Sequence, residues 1–178
     1  KYIIKLELRI NDGSAWSTTV SAQITLQNTL PLVNISSTVV EPDSLSNLNI
    51  SIETSDADGH SVTTTIVWTK NGYLVAGLND SLSVPAALLA PGAIWIATAT
   101  PDDGIGQGVA ASRSFTIGNI PPMAAISIEE GSKYVGLSIS LSTTNSSDPD
   151  GIIVDASWLI EGQMYSGLEI NFIPTLTS

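Results

Sequence analysis

Cysteine is absent from the 178 residues, histidine occurs once, and Lys and Arg together number only 6. Without cysteine there is no disulfide framework, no thiolate zinc centre and no thiol nucleophile. Against those few basic residues stand 17 Asp and Glu, for a formal net charge of −11. Nucleic acid is excluded as a partner on that ground, because binding it requires a basic surface that displaces counterions. Long apolar runs are missing too. The most apolar stretch, Val84 to Ala99, is broken by Pro85, Pro91 and Gly92, whereas a membrane-spanning helix needs about 20 apolar residues in succession. The opening segment from Lys1 has the pattern of a strand rather than of a signal peptide, so the expectation is a mature piece or an excerpt of a longer chain.

What is present is apolar enough to fold. Hydrophobic residues make up 43% and charged residues 13%, which is not the balance of a disordered chain. The length leaves room for one or two domains of roughly 100–150 residues.

Self-similarity organises the sequence. Gln23 to Asn28 (QITLQN) matches Ser114 to Asn119 (SFTIGN), and Asn11-Asp12-Gly13 matches Asp102-Asp103-Gly104, both 91 positions apart. Pro31 falls on Pro122 at the same offset. With small gaps, Leu48-Asn49-Ile50 matches Leu137-Ser138-Ile139, and Ser55 to Gly59 (SDADG) matches Ser147 to Gly151 (SDPDG). Trp68 with Asn71-Gly72 then matches Trp158 with Glu161-Gly162. A period near 90 residues is the size of a seven-stranded sandwich, roughly 100 residues in the best-known case.

Between these turns nearly every segment alternates with period two. Leu48, Ile50 and Ile52 alternate with Asn49, Ser51 and Glu53; Ile4, Leu6, Leu8 and Ile10 alternate with Lys5, Glu7 and Arg9. That is the pattern of strands with one buried face. The segment Ile94 to Thr100 is apolar on both faces, and alignment with the N-terminal strand puts Trp95, Ala97 and Ala99 inward, leaving Ile94 and Ile96 outward and available to a neighbour. No window carries a helical stripe, and Ala86 to Ala90 suits at most a short turn. The expected fold class is all-β.

The repeat is cut out of phase. A complete domain is expected over 31–119, with the C-terminal strands of a preceding domain at 1–30 and the N-terminal strands of a following one at 120–178. Ser178 aligns near Leu88 and Lys1 on Gly92, so the two ends together make almost one domain. A half-sandwich exposes a sheet edge and one face of its core. It is rescued either by the next repeat of a tandem array or by strand complementation, in which Lys1 to Leu26 of one subunit complete the next. An open head-to-tail contact of this kind propagates into a filament.

Four strings carry a resemblance: SDADG at Ser55–Gly59, IVWTKNG at Ile66–Gly72, TATPDDG at Thr98–Gly104 and TIGNIPP at Thr116–Pro122. Together they resemble the tandem Ig-like, cadherin-like and PKD-like β-sandwich repeats of bacterial and archaeal extracellular surface proteins. The resemblance implies tandem Ig-like sandwiches of about 90 residues. It also implies an extracellular, cell-surface or secreted location, and calcium in some members. The sequence departs from the usual acidic turn in having His60 and Ile152 where a further Asp is expected.

Clustered carboxylates on tight loops are the chemistry calcium requires. The candidate metal residues are Asp56, Asp58, Asp102, Asp103, Asp148 and Asp150, with Asp12, Glu41 and Glu130 near the junctions. The competing reading is a turn in which Asp accepts backbone hydrogen bonds and Gly supplies positive φ. An EF-hand is excluded, since Val67 and Leu159 stand where its bidentate Glu belongs. Asn34, Asn49, Asn79 and Asn145 each open an Asn-x-Ser glycosylation sequon. His60 has no Ser, Cys or second His around it for catalysis, and Gly104 to Gly108 lacks the Lys and helix of a phosphate loop. Trp68 and Trp158 are expected in cores. Trp16, after Asp12-Gly13, is a candidate contact for a glycan or a neighbouring subunit, as are Ile94 and Ile96.

These features point to a non-catalytic structural module of a filament, stalk or surface array that requires no cofactor. Its partners would be neighbouring copies or adjacent repeats, head to tail. An adhesive or carbohydrate-binding surface module is the alternative, with glycans as partners.

Overall fold

A computed structural model describes residues 2–128 and 134–175; Lys1, Glu130 and Ser178 lie outside the described residues. The fold is all-β and built from antiparallel sheets. Strands β1 (Tyr2–Leu8) and β2 (Val20–Leu26) form a hairpin. Next come β3 (Leu32–Ser36), β4 (Leu48–Asn49), β5 (Ser51–Ser55), β6 (Thr63–Lys70) and β7 (Tyr73–Leu74). After them lie β8 (Ser83–Val84), β9 (Ile94–Asp102) and β10 (Ala111–Thr116). Short 3-10 turns occupy Ala76–Leu78 and Ala86–Leu88, the second where the sequence suggested a turn.

The middle segment closes on itself. One sheet runs β10-β9-β6-β7. Opposite it, β5 pairs with β3 and the contiguous β4 with β8, joined by the Ile50 N–H to the Leu82 carbonyl at 2.9 Å. Side chains of both sheets share one core, in which Trp68, Trp95, Leu48, Val84 and Ile117 are almost wholly buried. Trp68 and Trp95 meet edge to face at 6.2 Å between centroids, a favoured arrangement of two aromatic quadrupoles. The Trp68 indole N–H donates to the Ser81 carbonyl at 2.9 Å, so its polar tip is satisfied. Trp95, Ala97 and Ala99 face inward, Ile94 is exposed and Ile96 half-buried, as the alternation requires.

The C-terminal segment contains β11 (Ser127–Ile128), β12 (Ile139–Ser142), β13 (Ser157–Ile160), β14 (Gln163–Ser166) and β15 (Glu169–Phe172). Its sheets are β11-β12-β15 and β13-β14. Trp158 is the buried Trp of this segment, its indole N–H donating to the Gly167 carbonyl at 2.7 Å.

Two hairpin ladders of the structure recur in register. The β1–β2 register, Leu8 opposite Val20 and Ile3 opposite Thr25, recurs 91 positions on as Ala99 opposite Ala111 and Ile94 opposite Thr116. The β6–β7 pairs Thr69–Leu74 and Lys70–Tyr73 recur 90 positions on in β13–β14 as Leu159–Met164 and Ile160–Gln163. Both turns hold a non-glycine at positive φ before glycine: Asn71 at 51° with Gly72 at 84°, and Glu161 at 49° with Gly162 at 80°. One alignment changes. Ser127 opposite Ser142 repeats Ser36 opposite Ser51 at 91 positions, so the counterpart of Ile50 is Leu141 rather than Ile139. A two-residue slip leaves a period-two pattern intact, which is why the sequence did not distinguish the two.

Trp68→Ala is expected to destabilise the middle segment by about 3–5 kcal/mol through the cavity it opens, read as a lowered midpoint in denaturant unfolding followed by circular dichroism.

Candidate functional site: two open sheet surfaces and an acidic joint

The strand β9 that backs β6 in the middle segment has no counterpart beside β13. Among the described residues β13 pairs only with β14, leaving its other edge with unpaired backbone groups. A groove of about 400 Å³ runs beside it, lined among others by Ala125, Ile126, Ile128, Leu141, Trp158 and Ile160. Conversely, among the described residues β1 and β2 pair only with each other, and Leu6, Leu8, Ile24 and Leu26 are about half exposed or more. Their counterparts Ala97, Ala99, Phe115 and Ile117 are buried in the middle core. One surface lacks the element that the other offers.

The turns that close the two hairpins are also equivalent. Asp103 Oδ1 accepts the Ile105 and Gly106 N–H groups at 2.8 and 2.7 Å, and Asp12 Oδ1 accepts those of Ser14 and Ala15 at 2.8 and 2.9 Å. Gly108 cannot be replaced where it stands, since a Cβ there would lie 1.9 Å from the Pro31 carbonyl oxygen. Two features separate Asp103 from its copy. It is buried, and Asn28 Nδ2 donates to its Oδ2 at 2.8 Å. The Asn28 bond first, then the Gly106 and Ile105 amides, hold its carboxyl below the usual carboxylate range against the opposing effect of burial. Asp12 is lowered as well, by the Ala15 and Ser14 amides.

The acidic turns are joints. Asp58 Oδ2 accepts the Thr29 N–H, and Asp150 accepts the Ile120 N–H at 3.3 and 3.2 Å through its two oxygens. Each is the connection leaving a hairpin, clasped by the acidic turn of the next unit. Asp150 Oδ2 also accepts the Ser44 hydroxyl at 2.8 Å. Asp56 Oδ1 and Asp148 Oδ1 accept the N–H of Asp58 and Asp150, the Asx-turn geometry expected of such residues.

Of the six candidate metal residues, the structure gathers Asp56 and Asp103 with His60, one donor atom from each lying within 4.8 Å of the others. Asp58 and Asp150 are engaged at the joints, Asp148 holds its own turn, and Asp102 Oδ1 takes the Gly104 N–H at 2.7 Å. His60 is the member of this cluster that the sequence did not place among the metal residues, and Asn28 adjoins it through its bond to Asp103. The departure of His60 from the usual acidic turn was the available signal; nothing local pointed to Asn28, which lies 75 positions from Asp103.

Asn34, Asn49, Asn79 and Asn145 are all exposed. Trp16 is 63% exposed, bridged to Asn11 in the β1–β2 loop, with the Arg9 guanidinium 5.4 Å from its ring. No helix among the described residues is long and apolar enough to cross a membrane. No protein-family model and no curated protein matches this sequence.

The lowered Asp103 carboxyl fixes a sign for acid unfolding. Its contribution is complete above the ordinary carboxylate pKa and is lost as pH falls through the depressed value. Asp103→Asn should flatten the acid limb of the thermal unfolding midpoint plotted against pH, relative to Asp12→Asn, whose carboxylate makes no bond across a joint.

Proposed function

We propose that the chain is a non-catalytic structural module of an extracellular filament, stalk or surface array. Its units are Ig-like sandwiches in series, joined head to tail by completing one another's sheets. The observation that carries this reading is the register identity. The β1–β2 hairpin has the pairing of β9–β10, and β13–β14 has that of β6–β7. Carried over at those offsets, the β6–β9 register sets Leu6 opposite Trp158, as Ala97 stands opposite Trp68. It also sets Arg9 opposite Asp155, where Thr100 stands opposite Thr65. An open edge, an apolar groove and an opposite charge pair thus coincide. Backbone pairing supplies affinity in such β-augmentation, and alternate side chains supply register.

The acidic excess suits this role, since net charge keeps rods soluble and opposes side-to-side association. Localisation outside the cell and the series of sandwiches rest on the resemblance of the SDADG, IVWTKNG, TATPDDG and TIGNIPP strings. The exposed Trp16 favours a second reading, adhesion to glycans, in which an aromatic face stacks on a sugar ring.

Head-to-tail association is tested by light scattering and electron microscopy of the full chain. Arg9→Glu and Asp155→Lys should each weaken concentration-dependent association, and together restore it. Assembly indifferent to both single variants contradicts the register. For the adhesive reading, glycan-array binding should be present in the native chain and lost in Trp16→Ala.

A further inference from the structure

A carboxylate is buried beside the first joint without its complement of partners. The Asp56 side chain is 1% exposed. Its Oδ1 accepts the Asp58 and His60 N–H groups at 2.9 and 3.0 Å, while its Oδ2 is buried with no hydrogen-bond partner. Asn28 Oδ1 is likewise buried and unpartnered, although Asn28 Nδ2 donates to Asp103 and to the Thr29 carbonyl. Two oxygen acceptors withheld from water carry a desolvation cost that only a donor or a cation offsets. Among the described residues no Lys or Arg makes an ion pair there, and the basic group beside Asp56 is His60, with Nδ1 3.5 Å from Asp56 Oδ1. The site has an entry path. A cleft of about 440 Å³ borders it, lined by Asn28, Asp58, His60, Tyr2 and Ile105 among others.

We propose that Asp56, Asp103, His60 and Asn28 bind a divalent ion of the zinc type at this joint. The donor set decides against calcium. Calcium takes six to eight oxygens and avoids nitrogen, and most nearby oxygens are already used. Both Asp58 oxygens are engaged by Thr29, and Asp103 Oδ1 by two amides. What remains is one donor atom each from Asp56, Asp103 and His60, within 4.8 Å of one another, and the unpartnered Oδ1 of Asn28, whose amide is bonded to Asp103. Four donors, one of them an imidazole, match the coordination number and borderline character of zinc. The second joint serves as an internal contrast. It has Ile152 in place of His60, and no second such cluster occurs among the described residues. The ion would link the connection after β2, the loop after β5 and the loop after β9.

The test uses the full chain, stripped with EDTA and titrated with ZnCl2 or CaCl2 by calorimetry and thermal unfolding. Zinc should bind saturably, one ion per chain, and raise the unfolding midpoint progressively with its concentration. Co2+ should give the visible absorption of a four-coordinate centre. His60→Ala should abolish both effects while the metal-free chain still unfolds cooperatively. Asp56→Asn keeps an acceptor for the turn and should abolish them too. A zinc shift that survives His60→Ala, an equal response to calcium, or no saturable binding of zinc would each overturn the site. The first outcome would point to adventitious surface binding. The last would leave His60 as a loop neighbour of Asp56 with no ligand role.

Discussion

The strand carrying the core tryptophan has to be backed by β-strands on both edges. In the middle segment β6 has β7 on one side and β9 on the other, and the β9–β10 hairpin brings Trp95, Phe115 and Ile117 over Trp68. That hairpin supplies the ladder on this edge and extends the buried face of the sheet. In the C-terminal segment β13 has only β14 among the described residues. On the proposed reading, the groove beside Trp158 and the exposed apolar face of β1–β2 are the two sides of one missing pairing. Neither would persist in water at low cost, since unpaired edges and contiguous apolar faces are what folded chains avoid.

Much of this was legible in the sequence, and for a definable reason. Strand faces are written with period two, so the inward set of Trp95, Ala97 and Ala99 could be read from its copy at Ile4, Leu6 and Leu8 even though its own segment is apolar throughout. Turn residues are equally local: Asn71-Gly72 and Glu161-Gly162 both adopt the positive φ pair that closes their hairpins. The alternation does not encode where a strand begins relative to its partner. The equivalence of Ile50 with Leu141 therefore had to come from the ladder.

The acidic turns show a different limit. Asp56 and Asp58 stand two residues apart in one motif and look interchangeable as sequence. In the fold one turns its carboxylate inward, where an oxygen goes unpaired, and the other reaches out to the Thr29 backbone. Which does which depends on Asn28 and Asp103, from two distant stretches, together with His60 in the same loop. No local pattern specifies that meeting. The chemistry at this end of the middle segment thus comes from tertiary placement, whereas the sheet architecture comes from short-range pattern.

The clasp between connection and acidic turn occurs twice, at Thr29 with Asp58 and at Ile120 with Asp150, using the same backbone donor and the same carboxylate. Whenever one rigid body is related to the next by an unchanging step, the steps compound into a screw. Pitch and handedness would then be properties of a few atoms at a hinge rather than of the bodies it joins. In a fibre of the kind proposed, a single substitution at Asp58 or Asp150 would alter the winding of the whole while leaving each body within it untouched.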